Sequence, residues 1–188
     1  MQARFNGCRI KNRQRFSLGV TLIELMVTLA IAAIMLTLAA PSFQSLIRNT
    51  HARTVASDLA TTLNLARSEA IKRGWPVTVC KSDDIQASSL ACSTTASWED
   101  GWLAFVDNDQ DGIMDIGDLP IRVGKPATER TSISGGTNYA NYVSYLPSGS
   151  SKGNGGLTNG SFTICIEGIL RKIIINNTGR LRIEPGAC

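Results

Sequence analysis

Hydrophobic residues fall along this chain in three successive textures, and each predicts a different element. From Val20 to Ala40 they run nearly unbroken, with Glu24 the one charged residue among them. As a helix this stretch would be about 31 Å long at roughly 1.5 Å per residue, enough to cross the hydrocarbon core of a bilayer. Beyond Pro41 the apolar positions thin out to Ala52, Val55, Ala56, Leu59, Leu63, Ala66 and Ala70, spaced mostly by three and four, the stripe of an amphipathic helix. Arg48, Arg53, Asp58, Asn64 and Arg67 lie off that stripe, and Gly74 followed by Pro76 supplies a stop. The pattern predicts one long helix over residues 22–73, bent near Pro41, whose ring removes a ladder hydrogen bond.

After Gly74 the apolar runs become short: "WPVTVC", "GWLAFVD", "LPIRV", "YVSYL", "SFTICI", "RKIIIN" and "GRLRI", separated by Gly, Ser, Asn and Asp clusters. One helix followed by strands argues an α+β fold with an antiparallel sheet, because a parallel sheet needs alternating strands and helices. The stretch "PSGSSKGNGGLTNGS", residues 147–161, reads as a flexible loop. Trp75, Trp98 and Trp102 read as core or hairpin aromatics. No internal repeat and no second domain is visible.

Charge orients this arrangement. Residues 1–19 carry Arg4, Arg9, Lys11, Arg13 and Arg15 and no acid, which keeps that end cytoplasmic and sends the larger part across the membrane. A simple secretory signal fits poorly, since the apolar run exceeds the usual 7 to 15 residues and its A-x-A, Ala30-Ile31-Ala32, lies inside the run.

The stretch "GVTLIEL" behind a short basic leader resembles the type III leader of type IV pilins and type II secretion pseudopilins. "LARSEAIKRG", Leu65 to Gly74, is similar to the corresponding helix end in the GspH/FimT branch of that family. The resemblance implies cleavage by a prepilin peptidase between Gly19 and Val20 and methylation of the new N-terminus at Val20. It also implies an assembly role for Glu24, whose carboxylate would meet the N-terminal amine of a neighbouring subunit. An ionisable group in a membrane segment costs about 2.5–3.5 kcal/mol at the centre, so a partner is expected on physical grounds too; the alternative is a side chain that snorkels to the surface. The chain then divides into a leader (1–19), a membrane and assembly helix (20–40), an extracytoplasmic part of the helix (41–74) and a β-rich domain (75–188). It would be a single-pass inner-membrane protein with a periplasmic C-terminal domain, joining a pilus after assembly.

Leader removal turns the formal charge from +4 to −1, so the basic character of the whole chain is no argument for nucleic acid. The remaining charge is uneven: residues 83–118 hold nine acids and no base, and residues 119–188 hold eight bases and three acids. Of the five cysteines Cys8 lies in the leader, leaving Cys80, Cys92, Cys165 and Cys188, which allow three connectivities. Cys80 with Cys92 and Cys165 with Cys188 are favoured because each pair closes a local segment, and an oxidising periplasm would keep them formed. Zinc lacks its ligands, since there is no C-x-x-C and His51 is the single histidine.

Two constellations carry candidate chemistry. "DNDQDGIMDIGD" sets Asp107, Asp109, Asp111, Gly112, Asp115 and Asp118 at the spacing of a calcium loop. Strand-like flanks and an Asp at the last position depart from an EF-hand, so a solvated hairpin turn is the preferred reading and calcium the alternative. In "NNTGRLRI" Asn176 to Gly179 reads as a turn, after which Arg180 and Arg182 project from one strand face while Leu181 and Ile183 face the core. Two guanidiniums about 6–7 Å apart along a strand match successive phosphates of one DNA strand. "GRLR" resembles the Gly-Arg-x-Arg motif of FimT-type minor pilins, which implies Gly179, Arg180 and Arg182 as a site for double-stranded DNA, with Arg171 and Lys172 beside them. The alternative is an edge strand blunted by charge.

Catalysis lacks its parts: there is no G-x-S-x-G, no P-loop and no His/Cys cluster, and no cofactor is expected. Two functional readings follow from the resemblance. One is a minor pilin of a type IV pilus that binds DNA for natural transformation; the other is an H-type minor pseudopilin that initiates or caps the filament of a type II secretion system. Both imply other pilins as partners through the N-terminal helix.

Overall fold

The computed structural model describes residues 19–85, 90–125, 127 and 130–188. The leader residues before Gly19, with their five cations and Cys8, lie outside the described residues. Helix α1 spans Leu22–Arg73, 52 residues, over the range that periodicity predicts and through Pro41. It begins at Thr21, whose Oγ1 accepts the Glu24 N–H at 3.3 Å, the N-cap half of a capping box. It ends at Gly74, where φ of 72° closes the last turn and the Gly74 N–H reaches the Ala70 carbonyl at 3.0 Å.

The chain forms two compact units, Met1–Phe43 and Gln44–Cys188. In the first, α1 is apolar all round: Leu22, Ile23, Leu25, Met26, Val27, Leu29, Ile31, Ile34, Met35 and Leu36 are exposed. A helix of this length and composition is long and apolar enough to cross a membrane. In the second unit the helix is amphipathic, and Ala52, Ala56, Leu59, Ala60, Leu63, Ala66 and Ala70 are buried. The alanines let strands approach the helix closely, while each buried leucine contributes roughly 1.5–3 kcal/mol through area removed from water.

Nine strands follow: β1 (Val77–Lys81), β2 (Trp102–Val106), β3 (Leu119–Gly124), β4 (Thr131–Ser134), β5 (Tyr142–Tyr145), β6 (Ser151–Gly153), β7 (Gly160–Ile166), β8 (Ile169–Ile175) and β9 (Leu181–Ala187). They form two antiparallel sheets, in the orders β3-β2-β1-β5-β6 and β4-β7-β8-β9. The helical stripe meets both sheets in one core with Val77, Val79, Trp102, Tyr145, Phe162, Ile164 and Ile173. Trp102 is buried because its indole N–H finds Thr62 Oγ1 at 3.1 Å. The first sheet also buries its other face, where Cys80, Leu103 and Phe105 pack with Cys92, Met114 and Tyr142, so β2 reads as a continuous apolar run and β1 is buried from Val77 to Cys80.

Four expectations need correction. The segment 147–161 contains strand β6, and the stretch after it is tied down: Asn138 Nδ2 donates to the carbonyls of Leu157 and Asn159 at 2.9 and 2.8 Å. Two of its glycines serve packing, because a Cβ at Gly153 or Gly160 would run into the Tyr139 ring. Trp75 is about half exposed at 51%, just past the helix end, unlike the buried Trp98 and Trp102. Ile183 does not face a closed core; it is 42% exposed because β9 is a sheet edge. Arg171 is not a surface neighbour of Arg180, since it shares the inner face of β8 with Ile173 and Ile175 and is buried.

Candidate functional site

At the start of α1, the Glu24 backbone closes the first turn on Thr21, and the carboxylate lies at the positive end of the helix macrodipole. The macrodipole favours an acid at that position, whereas the bond to Thr21 is made by the backbone alone.

The second predicted site is the β8–β9 turn. Asn176 organises it: the Asn176 side-chain oxygen accepts from the N–H groups of Thr178 and Arg180 at 3.1 and 2.9 Å, and the Gly179 N–H returns to the Asn176 carbonyl at 2.9 Å. Gly179 has φ of 73°, and a Cβ there would strike the Gly149 carbonyl oxygen, so the position accepts only glycine without rearrangement. Arg67, from α1, reaches across: the Arg67 Nε donates to the Gly149 carbonyl at 3.0 Å and Nη2 to that of Thr178 at 3.1 Å. One guanidinium therefore fastens the β5–β6 and β8–β9 turns to the helix.

On this platform Arg180 is exposed just before β9, and Arg182, two residues on and within the strand, is exposed as well. Arg182 is not simply solvated, however, since its Nε donates to Glu184 Oε1 at 2.8 Å. Lys172 on β8 stands opposite Glu184. The outer face thus carries three cations with one carboxylate among them, while Arg171 points inward and donates to Asn49 Oδ1 at 2.6 Å.

The third predicted site, the β2–β3 loop, brings the carboxylate oxygens of Asp107, Asp109 and Asp111 within 4.8 Å of one another. Asp107 is buried and serves the loop itself. Its two oxygens accept from Thr78 Oγ1 at 2.6 Å, the Gln110 N–H at 2.8 Å and the Gly112 N–H at 3.2 Å. Burial pushes the Asp107 carboxyl up from the usual carboxylate range, against the pull of those donors. Asp118 acts similarly at the far end, accepting the Asn108 and Asp115 N–H groups. The spacing that resembles a cation loop is, for these two residues, also the spacing of a self-capping turn.

Cys80 joins Cys92, and Cys165 joins Cys188, with Cα separations of 5.7 and 6.1 Å. The first clips the loop after β1 onto its strand, and the second ties the end of β9 back to β7. Sequence reasoning overlooked Arg67, which an off-stripe position marks only as solvated. It misplaced Arg171, although alternation along β8 was enough to put that residue on the face of Ile173 and Ile175.

Residues 55–179 match the family model described as Type II transport protein GspH, and residues 15–40 match the Prokaryotic N-terminal methylation motif. No curated protein sequence matches the chain. Among solved structures the chain is similar to the type IV minor pilin FimU of Pseudomonas aeruginosa, at 19% identity and a TM-score of 0.54, covering 74% of this chain and 94% of that one. A second crystal form of FimU gives 20% identity and 0.51, covering 72% and 96%. The minor pseudopilin EpsH of the Vibrio cholerae type 2 secretion system is 16% identical with a TM-score of 0.49, covering 72% and 97%. At such identities the likeness is one of fold.

Proposed function

Since the chain belongs to the GspH family of type II transport proteins, we propose that it is a minor pilin incorporated into a type IV pilus, a structural subunit and not an enzyme. The observation that carries this reading is the methylation motif over residues 15–40, which takes in the apolar start of α1, where the large apolar side chains are exposed. Such a surface needs lipid before assembly and other helices after it. In this reading prepilin peptidase cuts between Gly19 and Val20 and methylates Val20, and residues 20–40 hold the chain in the inner membrane. Residues 41–188 then stand in the periplasm, where both disulfides persist. Glu24 meets the amine of a neighbouring subunit once cleavage has freed it.

The test is direct. In cells with the peptidase, the intact mass corresponds to a chain beginning at Val20, a Gly19→Val variant keeps the precursor mass, and the mature form appears in sheared filaments. A mature chain absent from every filament fraction overturns the reading.

DNA capture is the finer proposal, supported by the exposed Arg180 and Arg182 on a turn that Gly179 and Arg67 hold in place. Two or three phosphate contacts give weak, salt-sensitive binding, and repetition along a filament multiplies it. Titration of the detergent-solubilised mature chain with double-stranded DNA across a salt series reads this out. Binding falls with salt and is lost in Arg180→Gln/Arg182→Gln. No binding at low salt removes the DNA role and leaves a purely structural subunit, for which the H-type pseudopilin of a type II secretion system is the alternative.

A further inference from the structure

A groove of about 330 Å³ opens between α1 and the edge strand β9, lined by Arg53, Ala56, Ser57, Arg171, Ile183 and Pro185. Its floor is apolar, and Pro185 removes a backbone donor from the edge, which disfavours occupation by an added strand. Its charge is unbalanced. Arg171 is only 7% exposed, and its guanidinium donates to two neutral acceptors, Asn49 Oδ1 at 2.6 Å and the Leu170 carbonyl at 3.1 Å. Among the described residues no carboxylate forms an ion pair with Arg171 or Arg53. A guanidinium withdrawn from water without a counter-charge is unfavourable, so this groove favours a ligand that combines a carboxylate with aliphatic bulk.

The chain carries such a ligand. On the β2–β3 loop Ile116 is fully exposed, at 104%, with Asp115 beside it and Asp118 two residues on. An isoleucine presented to water in this way, on a loop braced by its own carboxylates, has the form of an anchor without its socket. The loop cannot reach the groove of its own domain. The Asp107 N–H donates to the Pro76 carbonyl, which sets the loop at the end of α1, whereas Arg53 lies 20 residues earlier, about 30 Å along the helix.

We propose that the groove receives the β2–β3 loop of a second copy of this chain, with Ile116 seated against Ala56, Ile183 and Pro185 and Asp115 and Asp118 meeting Arg53 and Arg171. Knob and socket are different surfaces at opposite ends of one domain, so the contact is head-to-tail and does not close on itself by a two-fold axis. It would align copies along the direction of α1. It is independent of the DNA reading, and a failure of DNA binding leaves it intact.

The test uses the full-length protein in membranes. Two differently tagged copies are co-produced, one carrying Ile116→Cys and the other Ser57→Cys, both at exposed positions outside the core, and are mildly oxidised. The expected result is a reducible dimer containing both tags that needs both new thiols. Its yield falls at least tenfold when the Ser57→Cys copy also carries Arg53→Glu, and recovers when the facing copy carries Asp115→Arg. A yield indifferent to these charges, or no dimer from chains accumulating at the wild-type level, overturns the proposal. So does capture of Ile116→Cys by a different membrane protein in place of the second copy. As a thiol-free check, Ile116→Ser reduces self-association of the solubilised chain in sedimentation, and an unchanged distribution counts against the contact.

Discussion

The β8–β9 turn and the β2–β3 loop both present charge at the surface of one domain, and they differ in how far they are held by a side chain from another element. The basic turn has its own bonds to Asn176 but is also gripped from outside, by Arg67 of the helix and by a backbone approach to Gly149 that leaves no room for a Cβ. The acidic loop is held from within, by Asp107 and Asp118, whose carboxylates accept the loop's own N–H groups. Charge on a loop says little about how firmly its side chains are aimed. What decides it is whether the fixing groups belong to the loop or to its neighbours.

Paired glycine substitutions break the comparison most sharply. Gly179 and Gly117 both adopt positive φ, 73° and 108°, but a Cβ at Gly117 meets nothing within 4 Å. Gly117→Ala is expected to cost about 1 kcal/mol of backbone strain. Gly179→Val adds a collision with the backbone and is expected to cost about 3 kcal/mol or more, read as the shift in urea midpoint. Equal losses at the two positions would erase the distinction.

A smaller effect separates the two by pH. Because burial raises the folded-state pKa of Asp107 above its unfolded value, the stability linked to its protonation is fully present below the usual carboxylate range and is lost as pH rises through the raised value. Asp107→Asn removes that dependence and flattens stability between mildly acidic and neutral pH. It also weakens the loop by about 1–2 kcal/mol, since an amide cannot accept from every donor the carboxylate serves. Urea unfolding across pH, with wild type alongside, checks both.

The smallest expected change is at Arg182. Its pair with Glu184 is exposed on both sides, so Arg182→Gln should alter folding stability by no more than about 0.5 kcal/mol in thermal unfolding. A loss of DNA binding in that variant would therefore report contact with the ligand and not a disturbed fold.

The helix was legible because its signals are local: one apolar run, one stripe and a glycine stop. Strands β1, β2, β7 and β8 were legible for the same reason. Strands β4 and β6 were not, since "TSIS" and "SKG" carry almost no hydrophobic pattern and exist by pairing with β7 and β5. The turn at Gly179 was visible in the sequence, whereas the reason for its glycine was not, because the obstructing carbonyl belongs to Gly149. Arg67 was hidden in the same way, its acceptors lying 82 and 111 residues further along the chain. Ile183 was misread because alternation tells which face a residue takes and not whether another layer covers that face.

The grip of Arg67 has a mechanical meaning. A tug on Arg180, whatever applies it, need not peel β9 from β8 one hydrogen bond at a time. Part of the load passes from the Thr178 carbonyl through the guanidinium into α1, the element that continues into the apolar anchor, so traction at the surface is shared with the chain's own spine.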